Sequence, residues 1–513
     1  MKREKTANHA PRLNREWIRE HRPADAAVEQ APERIVQFGE GRFLRGFFDW
    51  MIHRLNQSGH WQGGIVSIQP TPRGKIVPVL NAQDGLYTVV LEGLREGKPT
   101  REVEVVSSIR RGLNPYVEWD QVLKVAEQPE IQWVVSNTTE AGLTYPSEEY
   151  SPDTAPLSFP GKLTAFLYRR YQYFSGAPAA GMWILPCELV ENNGDVLKEL
   201  VLKAAADWNL PQAFREWVGE ANAFCNTLVD RIVTGSPGNP DEWVEELGYE
   251  DQLLTLAELY HFFAVENGKD LKEHLPLDRA GLQVRWGEVD RYRELKLRIL
   301  NGTHTLLFAP ALLSGCDTVS RAMETDWLQR MAKRALQREI LPVLEAEESE
   351  KQRFAADVLE RFANPQLHHH WVDIGQNGAS KYRSRLLELL KRWHASDRGV
   401  PTLLAFSLAA LIRFYKGEMV EAGILRRVLH GREHLMRETP ETLAFFVEVW
   451  REWDGSPAGL RQLTAKTLQN EGIWGENLCL SIPRLDAQVA LHLQQIVEQG
   501  VERAFARLME DET

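Results

Sequence analysis

Basic runs, paired cysteines and long apolar stretches are missing from this chain, and each absence removes a class of function. The formal net charge is −12 and no long Lys/Arg run interrupts it. Nucleic acid needs a basic face against its phosphates, so it is not the expected main partner. A small anionic substrate stays open, because a few local cations suffice. The four cysteines, Cys187, Cys225, Cys316 and Cys479, are scattered without a CxxC pair; reduced thiols in a cytoplasmic protein are expected. Residues 1–30 read as a polar arm without the apolar core of a signal peptide. The most apolar helix candidate, 403–415, is interrupted by Ser407 and Arg413. It falls short of the ~20 residues that span a bilayer, so a buried helix is expected instead. No GxSxG, HExxH, P-loop or EF-hand pattern occurs, which leaves nucleophilic hydrolysis, zinc peptidase and kinase chemistry without residues. Neither a solenoid repeat nor a low-complexity tract is found.

What is present describes a globular protein of two or three domains: 513 residues, 43% apolar and 26% charged. The first half alternates strands and helices. Short runs at 34–38 and 64–68 read as strands, the β-rich apolar runs at 132–136 and 182–185 as buried parallel strands, and 87–91 with 103–106 as a more exposed pair. Strand, turn, helix, strand in this order indicates a doubly wound α/β domain. Beyond residue 286 strand signals almost vanish and helical periods take over, at 295–313, 327–344, 351–362, 386–393, 402–415 and 489–508. Gly417 is expected to stop the helix before it, and the Pro/Gly cluster at 235–240 to form a loop. The expected organisation is an arm at 1–30, an α/β domain at 31–285 and an all-helical domain at 286–513.

Three chemically competent groups, Lys296, Asn301 and His304, crowd the entry to the apolar run Thr-Leu-Leu-Phe-Ala-Pro-Ala-Leu-Leu. At ~100° per residue they fall within ~140° of arc on one helix, close enough to address one cavity. Asn301-Gly302 is normally a turn signal and sits badly inside a helix, as expected where function overrides local rules. After the first strand, Gly39-Glu-Gly41-Arg-Phe-Leu-Arg45-Gly opens a helix. Its place suits a dinucleotide pyrophosphate, although the spacing departs from GxGxxG. Gln37, Phe38, Gly39, Glu40, Gly41, Arg42, Phe43, Leu44 and Arg45 are therefore cofactor candidates, with Arg42 and Arg45 as phosphate cations. No acid follows the second strand, where Gln69-Pro-Thr-Pro-Arg73-Gly-Lys75 stands; Arg73 and Lys75 leave room for a 2′-phosphate. Asn137, Thr138 and Glu140 follow a buried strand and are candidates beside the nicotinamide ribose. Asn193, Asp230 and Arg231 are candidates on the substrate side. So are Lys381, Arg383 and Arg385, three cations within five residues suited to a carboxylate. His368 to His370 form no ligand set with Cys, Asp or Glu at metal spacing, so loop or helix-start residues are expected there and no metal.

These motifs together resemble the mannitol dehydrogenase family of long-chain, metal-independent polyol dehydrogenases. The resemblance runs from Ile35 to the C-terminal helix, and its most specific element is Lys-x4-Asn-x2-His, met by Lys296, Asn301 and His304. It implies a Rossmann-like N-terminal domain, a helical C-terminal domain, NAD as cofactor and a ketone/alcohol pair, here a keto-uronate and its aldonate, as substrate. Lys296 would be the general acid/base, Asn301 would polarise the reacting oxygen, and His304 would orient the substrate. One departure stands out. Mannitol-specific members carry a second oxyanion-side asparagine after Cys-Asp, whereas this chain reads Cys187-Glu188-Leu189; either Asn192 or Asn193 supplies that bond, or the uronate branch works without it. A non-catalytic dinucleotide sensor would have no need of Lys296, and a helical scaffold would explain none of the N-terminal motifs.

Overall fold

The first strand reads Glu-Arg-Ile-Val-Gln-Phe, and Ile35, Val36 and Phe38 are all fully buried. Side chains on both faces are covered, which demands a layer on each side. The computed structural model describes residues 10–22, 31–234, 239–266, 268–287, 289–366 and 369–511. In chain order the first strands are β1 (Glu33–Phe38), β2 (Gly64–Ile68), β3 (Tyr87–Arg95), β4 (Lys98–Val106), β5 (Ile109–Leu113), β6 (Trp133–Ser136), β7 (Trp183–Pro186) and β8 (Ala223–Phe224). One parallel sheet takes the order β5-β2-β1-β6-β7-β8. Counted within that sheet the order is 3-2-1-4-5-6, that of a Rossmann fold. Ile35, Ile65, Trp133 and Leu185 share a core with the helix Phe48–Gln57. Val36, Phe38, Val66, Val134 and Ile184 share another with the helices Phe159–Tyr173 and Asn193–Asp207. The strands expected at 34–38, 64–68, 132–136 and 182–185 are found to within one residue.

Further strands, β9 (Thr227–Asp230), β10 (Val233–Thr234), β11 (Thr255–Glu258), β12 (Phe262–Val265) and β13 (Val284–Trp286), build the sheets β10-β11-β3-β4 and β13-β12-β9. The expectation that β3 is exposed is corrected: Tyr87 to Leu91 are all buried. β11 runs parallel along its other edge, and the Tyr87 hydroxyl donates to the Arg45 carbonyl at 3.2 Å. The N-terminal arm is not only polar. Asn14 caps the helix Arg15–His21, and Leu13 and Ile18 pack with Leu86, Val105 and Tyr249. Residues 235–238 of the expected loop lie outside the described residues; Asn239 then caps the helix Pro240–Leu247.

The chain divides into two compact units, residues 1–93 with 99–292, and residues 94–98 with 293–513. Helices dominate the second unit, including Gly302–Leu313, Asp326–Ala335, Glu348–Phe362, Leu387–Ala395 and Thr402–Phe414. The last of the expected helices is broken: Gly500, with φ +84°, separates Leu485–Gln499 from Val501–Asp511. Strands do not vanish either. β14 (Glu418–Glu421), β15 (Ile424–Leu429) and β16 (Arg432–Arg437) form an antiparallel sheet. Leu425 and Met436 are its fully buried apolar residues, while Met419, Val420, Val428 and Leu435 are exposed among charged neighbours, so no apolar alternation marked it. His430 and Gly431, both with positive φ, make its two-residue turn. Gly417 is not a helix stop in the left-handed region; a Cβ there would stand 2.7 Å from the Arg426 carbonyl, so it permits close approach to β15. Ser407 also has a local reason. Pro310 cannot donate to the Leu306 carbonyl within its helix, and the Ser407 hydroxyl donates there instead at 2.9 Å. Among the described residues no helix is long and apolar enough to cross a membrane.

Candidate functional site

In the first unit the strand order reverses between β1 and β6, whose carboxyl ends flank the crevice where such sheets take ligands. Past β1 the chain turns through Gly39-Glu40-Gly41 into the helix Arg42–Gly46. Gly39 has φ +118°, and a Cβ would stand 2.8 Å from the Asn137 carbonyl oxygen, so the fold itself requires glycine. Gly41 is different. Its φ is −65° and an added Cβ would meet nothing within 4 Å. Glycine there leaves open space along the backbone, which fits an approaching pyrophosphate.

The turn is braced from below. Gln37 Nε2 donates to the Gly39 carbonyl at 3.0 Å and to Asp49 Oδ2 at 3.3 Å, and the Tyr87 hydroxyl donates to the same Asp49 oxygen at 3.5 Å. Burial pushes the Asp49 carboxyl up to about 7, against the lowering effect of Gln37 and Arg45. Burial likewise pushes Glu40 up to about 7, its own backbone N–H and Arg45 opposing. Arg45 corrects one expectation: it is 3% exposed and donates to the Glu40 carbonyl at 2.6 Å and to Thr255 Oγ1 at 3.3 Å. It holds the turn rather than facing a phosphate, whereas Arg42 is exposed. Phe38 packs on Phe159, Phe43 stacks on Phe47, and Leu44 is fully buried, so these three fix the turn by packing. Asp49 carried no motif, and only the fold reveals it.

Asn137 is tied to the neighbouring strands, its N–H donating to the Phe38 carbonyl at 3.1 Å and Nδ2 to the Cys187 carbonyl at 2.7 Å. Thr138 donates N–H and Oγ1–H to Glu188 Oε1 at 2.8 and 3.0 Å, and Ser136 Oγ donates to Glu188 Oε2 at 3.0 Å. Burial raises the pKa of Glu188 while those bonds lower it. Glu140 opens a short 3₁₀ turn, Glu140–Gly142, and its side chain lies outside the described residues.

The substrate role expected of Asn193 is not what the structure shows. The side chain is 1% exposed, and Nδ2 donates to the carbonyls of Pro186 and Glu188, each at 3.0 Å, and to Thr227 Oγ1 at 3.2 Å. Its Oδ1 accepts the Thr227 N–H at 2.9 Å. Both amide protons are engaged, so Asn193 has none for an oxyanion; Asn192, exposed at φ +52°, is the other member of that pair. Asn193→Ala is expected to lower stability by about 2–3 kcal/mol, since buried partners are left unsatisfied. Urea denaturation checks this; unchanged stability with lost turnover would return Asn193 to the chemistry.

Arg231 is also drawn into the fold. It is 5% exposed, donates to the carbonyls of Glu258 and Gly46, each at 2.9 Å, and lies 4.1 Å from the Trp50 ring centroid. Burial lowers its pKa to about 9 against Glu258 and Glu104. Asp230, also buried, lies opposite Phe262 in the β9–β12 ladder. Both are structural positions in this unit rather than surfaces for a substrate.

In the second unit Lys296–Asn301 is a π-helical turn leading directly into the helix Gly302–Leu313. Hydrogen bonds of the i→i+5 kind widen this turn, so the expected 100° spacing does not hold across it; such turns are frequent at functional sites. Lys296, Asn301 and His304 are all partly exposed, whereas Arg298, Ile299, Leu300, Gly302 and Thr303 are buried. Asn301-Gly302 is helical throughout, and Gly302 lets Leu386 pack closely: a Cβ would stand 3.3 Å from Leu386 Cδ2.

The surroundings of the turn were only partly readable. The His304 ring stacks on Phe362 at 4.2 Å and meets His369 and Trp371 at 6.1 Å. His369 belongs to the histidine triplet; burial and then Arg361 lower its pKa, against Asp373. His370 precedes the helix Trp371–Ile374 as its cap residue, and His368 lies outside the described residues. Among the described residues no group of three or more His, Cys, Asp or Glu is arranged to hold a metal ion.

The three cations of the helix Gly378–Arg385 separate. Lys381 Nζ donates to the Ile374 carbonyl at 2.8 Å; burial and then Arg385 lower its pKa against Glu438. Arg383 is exposed and lies against Gly475. Arg385 alone of the three joins the Lys296 helix, Nη1 donating to Thr305 Oγ1 at 3.2 Å, while Thr305 Oγ1 donates to the Asn301 carbonyl at 2.9 Å. Arg298 Nη1 secures the same end of that helix through the carbonyls of Ser384 and Arg385, at 2.8 and 2.9 Å.

Residues 33–279 match the mannitol dehydrogenase Rossmann domain and residues 288–468 the mannitol dehydrogenase C-terminal domain. The chain belongs to the mannitol dehydrogenase family. It is an oxidoreductase acting on CH–OH groups. Among this family member's relatives, the altronate oxidoreductase of Halalkalibacterium halodurans is 47% identical, with 94% of each chain covered. Its fold is shared by a D-sorbitol dehydrogenase in substrate-free form, at TM-score 0.74 and 23% identity, covering 93% of this chain and 96% of that one. It is shared too by the Pseudomonas fluorescens mannitol 2-dehydrogenase in ternary complex with NAD and D-mannitol, at TM-score 0.66 and 19% identity, covering 97% and 99%.

Proposed function

We propose that this family member catalyses the NAD-dependent, reversible reduction of D-tagaturonate to D-altronate, in the cytoplasm, as a step of hexuronate breakdown. Arg385 carries the acid part of the reading, because its bond to Thr305 sets a guanidinium beside the Asn301–His304 turn. The name of the 47% identical relative supports the particular acid. Residues 31–285 then bind the dinucleotide and 286–513 the substrate, with 1–30 as an arm.

The nicotinamide, when bound, supplies the hydride that converts the ketone carbon to C–H. Lys296 gives the ketone oxygen a proton from its ammonium and is left a neutral amine; in altronate oxidation the amine takes the proton back. Asn301 donates an amide hydrogen bond to the same oxygen. His304, its ring held against Phe362, orients a substrate hydroxyl. The Gly39–Gly41 turn receives the pyrophosphate, and the Asn137–Glu140 segment borders the nicotinamide ribose.

Because the fold leaves Gly41 unconstrained, Gly41→Val is expected to keep the melting temperature and to weaken NADH binding at least about tenfold by filling the backbone approach. Unchanged affinity in a calorimetric titration would put the cofactor elsewhere. The function itself is tested by following NADH oxidation with tagaturonate, fructuronate and fructose. Tagaturonate should be turned over fastest; preference for either other ketose would reassign the substrate, and dinucleotide binding without turnover of any would favour a sensor.

A further inference from the structure

We propose that the cofactor site accepts the 2′-phosphorylated dinucleotide as well as the plain one, with Arg73 and Lys75 as the counter-ions of the added phosphate. The inference rests on the dinucleotide reading above. In a sheet of this order the end of the second strand lies beside the glycine turn, and here the Gly39 N–H donates to the Ile68 carbonyl at 2.9 Å. A carboxylate at that strand end accepts the hydroxyls of the adenosine ribose and repels a phosphate placed on them.

This chain holds Gln69 in that position, fully buried. Its N–H is tied to the Leu113 carbonyl at 3.0 Å, its Nε2 donates to the Thr71 carbonyl at 2.7 Å, and its side chain packs directly against Gly74. The strand end thus carries a neutral amide where an anion would discriminate. No Asp or Glu occurs from Gln69 to Lys75. On the neighbouring β5 end, Glu118 is held by the Asn114 N–H at 3.2 Å, and the Tyr116 hydroxyl donates to the Pro70 carbonyl at 3.0 Å. Arg73 and Lys75 are both exposed. A phosphate on the ribose would therefore meet two cations and no fixed carboxylate in this loop.

Calorimetric titration of the full chain with ADP-ribose and with its 2′-phosphorylated form tests this, alongside turnover with NADH and NADPH. The phosphorylated fragment should bind within about tenfold of the plain one. Gln69→Glu, which brings the repelling charge, should widen the ratio to about 100-fold, and the double variant Arg73→Ser, Lys75→Ser should widen it as well. That double variant alters exposed side chains only and keeps the test open if Gln69→Glu does not fold. A wild-type ratio beyond about 100-fold with ADP-ribose still bound overturns this inference and leaves the dinucleotide reading standing. Binding of neither fragment overturns that reading, and this inference with it.

Discussion

Lys296→Ala is expected to cut keto-uronate turnover by about 10²–10⁴-fold, the range of a lost general acid, while dinucleotide affinity stays close to that of the unaltered chain. The substitution should not disturb the fold. Lys296 is partly exposed at the start of the π turn, whose buried residues Arg298, Ile299 and Leu300 are left in place, and alanine is a good helix former. Lys296→Arg separates proton transfer from charge. A guanidinium keeps the positive charge beside the oxygen but does not release its proton in proteins, so this variant should be nearly as slow as alanine. Steady-state rates with an NADH titration decide the matter. Near-normal turnover in the alanine variant would remove the mechanism, and substantial rescue by arginine would make Lys296 an electrostatic residue.

Local rules carried the central sheet and the site motif. The apolar runs Trp133-Val-Val and Trp183-Ile-Leu mark buried strands, and the spacing of Lys296, Asn301 and His304 is a pattern legible in the residues alone. What escaped was set by partners distant in the chain. Asn193 looked like an available amide after β7, but Thr227, 34 positions later, accepts and donates against it. Arg231, a candidate on the substrate side, is engaged instead by the carbonyls of Glu258 and Gly46. The sheet β14–β16 buries too few side chains to leave an alternating pattern. The Asn301-Gly302 pair shows the reverse case, where a local rule signalled something real and misnamed it. No turn forms; the helix widens instead, and Gly302 admits Leu386.

The density of charge at Lys381, Arg383 and Arg385 marked a region, and the structure separates its members. Lys381 spends one proton on the Ile374 carbonyl, and Arg383 lies out against Gly475. Arg385 reaches Thr305 and through it the Asn301 backbone, so of the three it is the cation tied to the Lys296 turn. A keto-uronate differs from a neutral ketose by a carboxylate, and a chain of net charge −12 must attract that group locally. Arg385→Ala is therefore expected to cost about 1.5–3 kcal/mol in transition-state binding of tagaturonate, roughly 10–100-fold in kcat/KM, and much less for fructose. Arg383→Ala should change the ratio of the two substrates little. The ratio, rather than the rate, is the measurement that matters: Arg385 also bonds Thr305, and a purely structural loss would slow both substrates alike. Equal losses for acid and ketose would make Arg385 a brace of the turn, and no loss for either would send the search for the carboxylate partner to Lys381 and to Arg361, the cation beside His369.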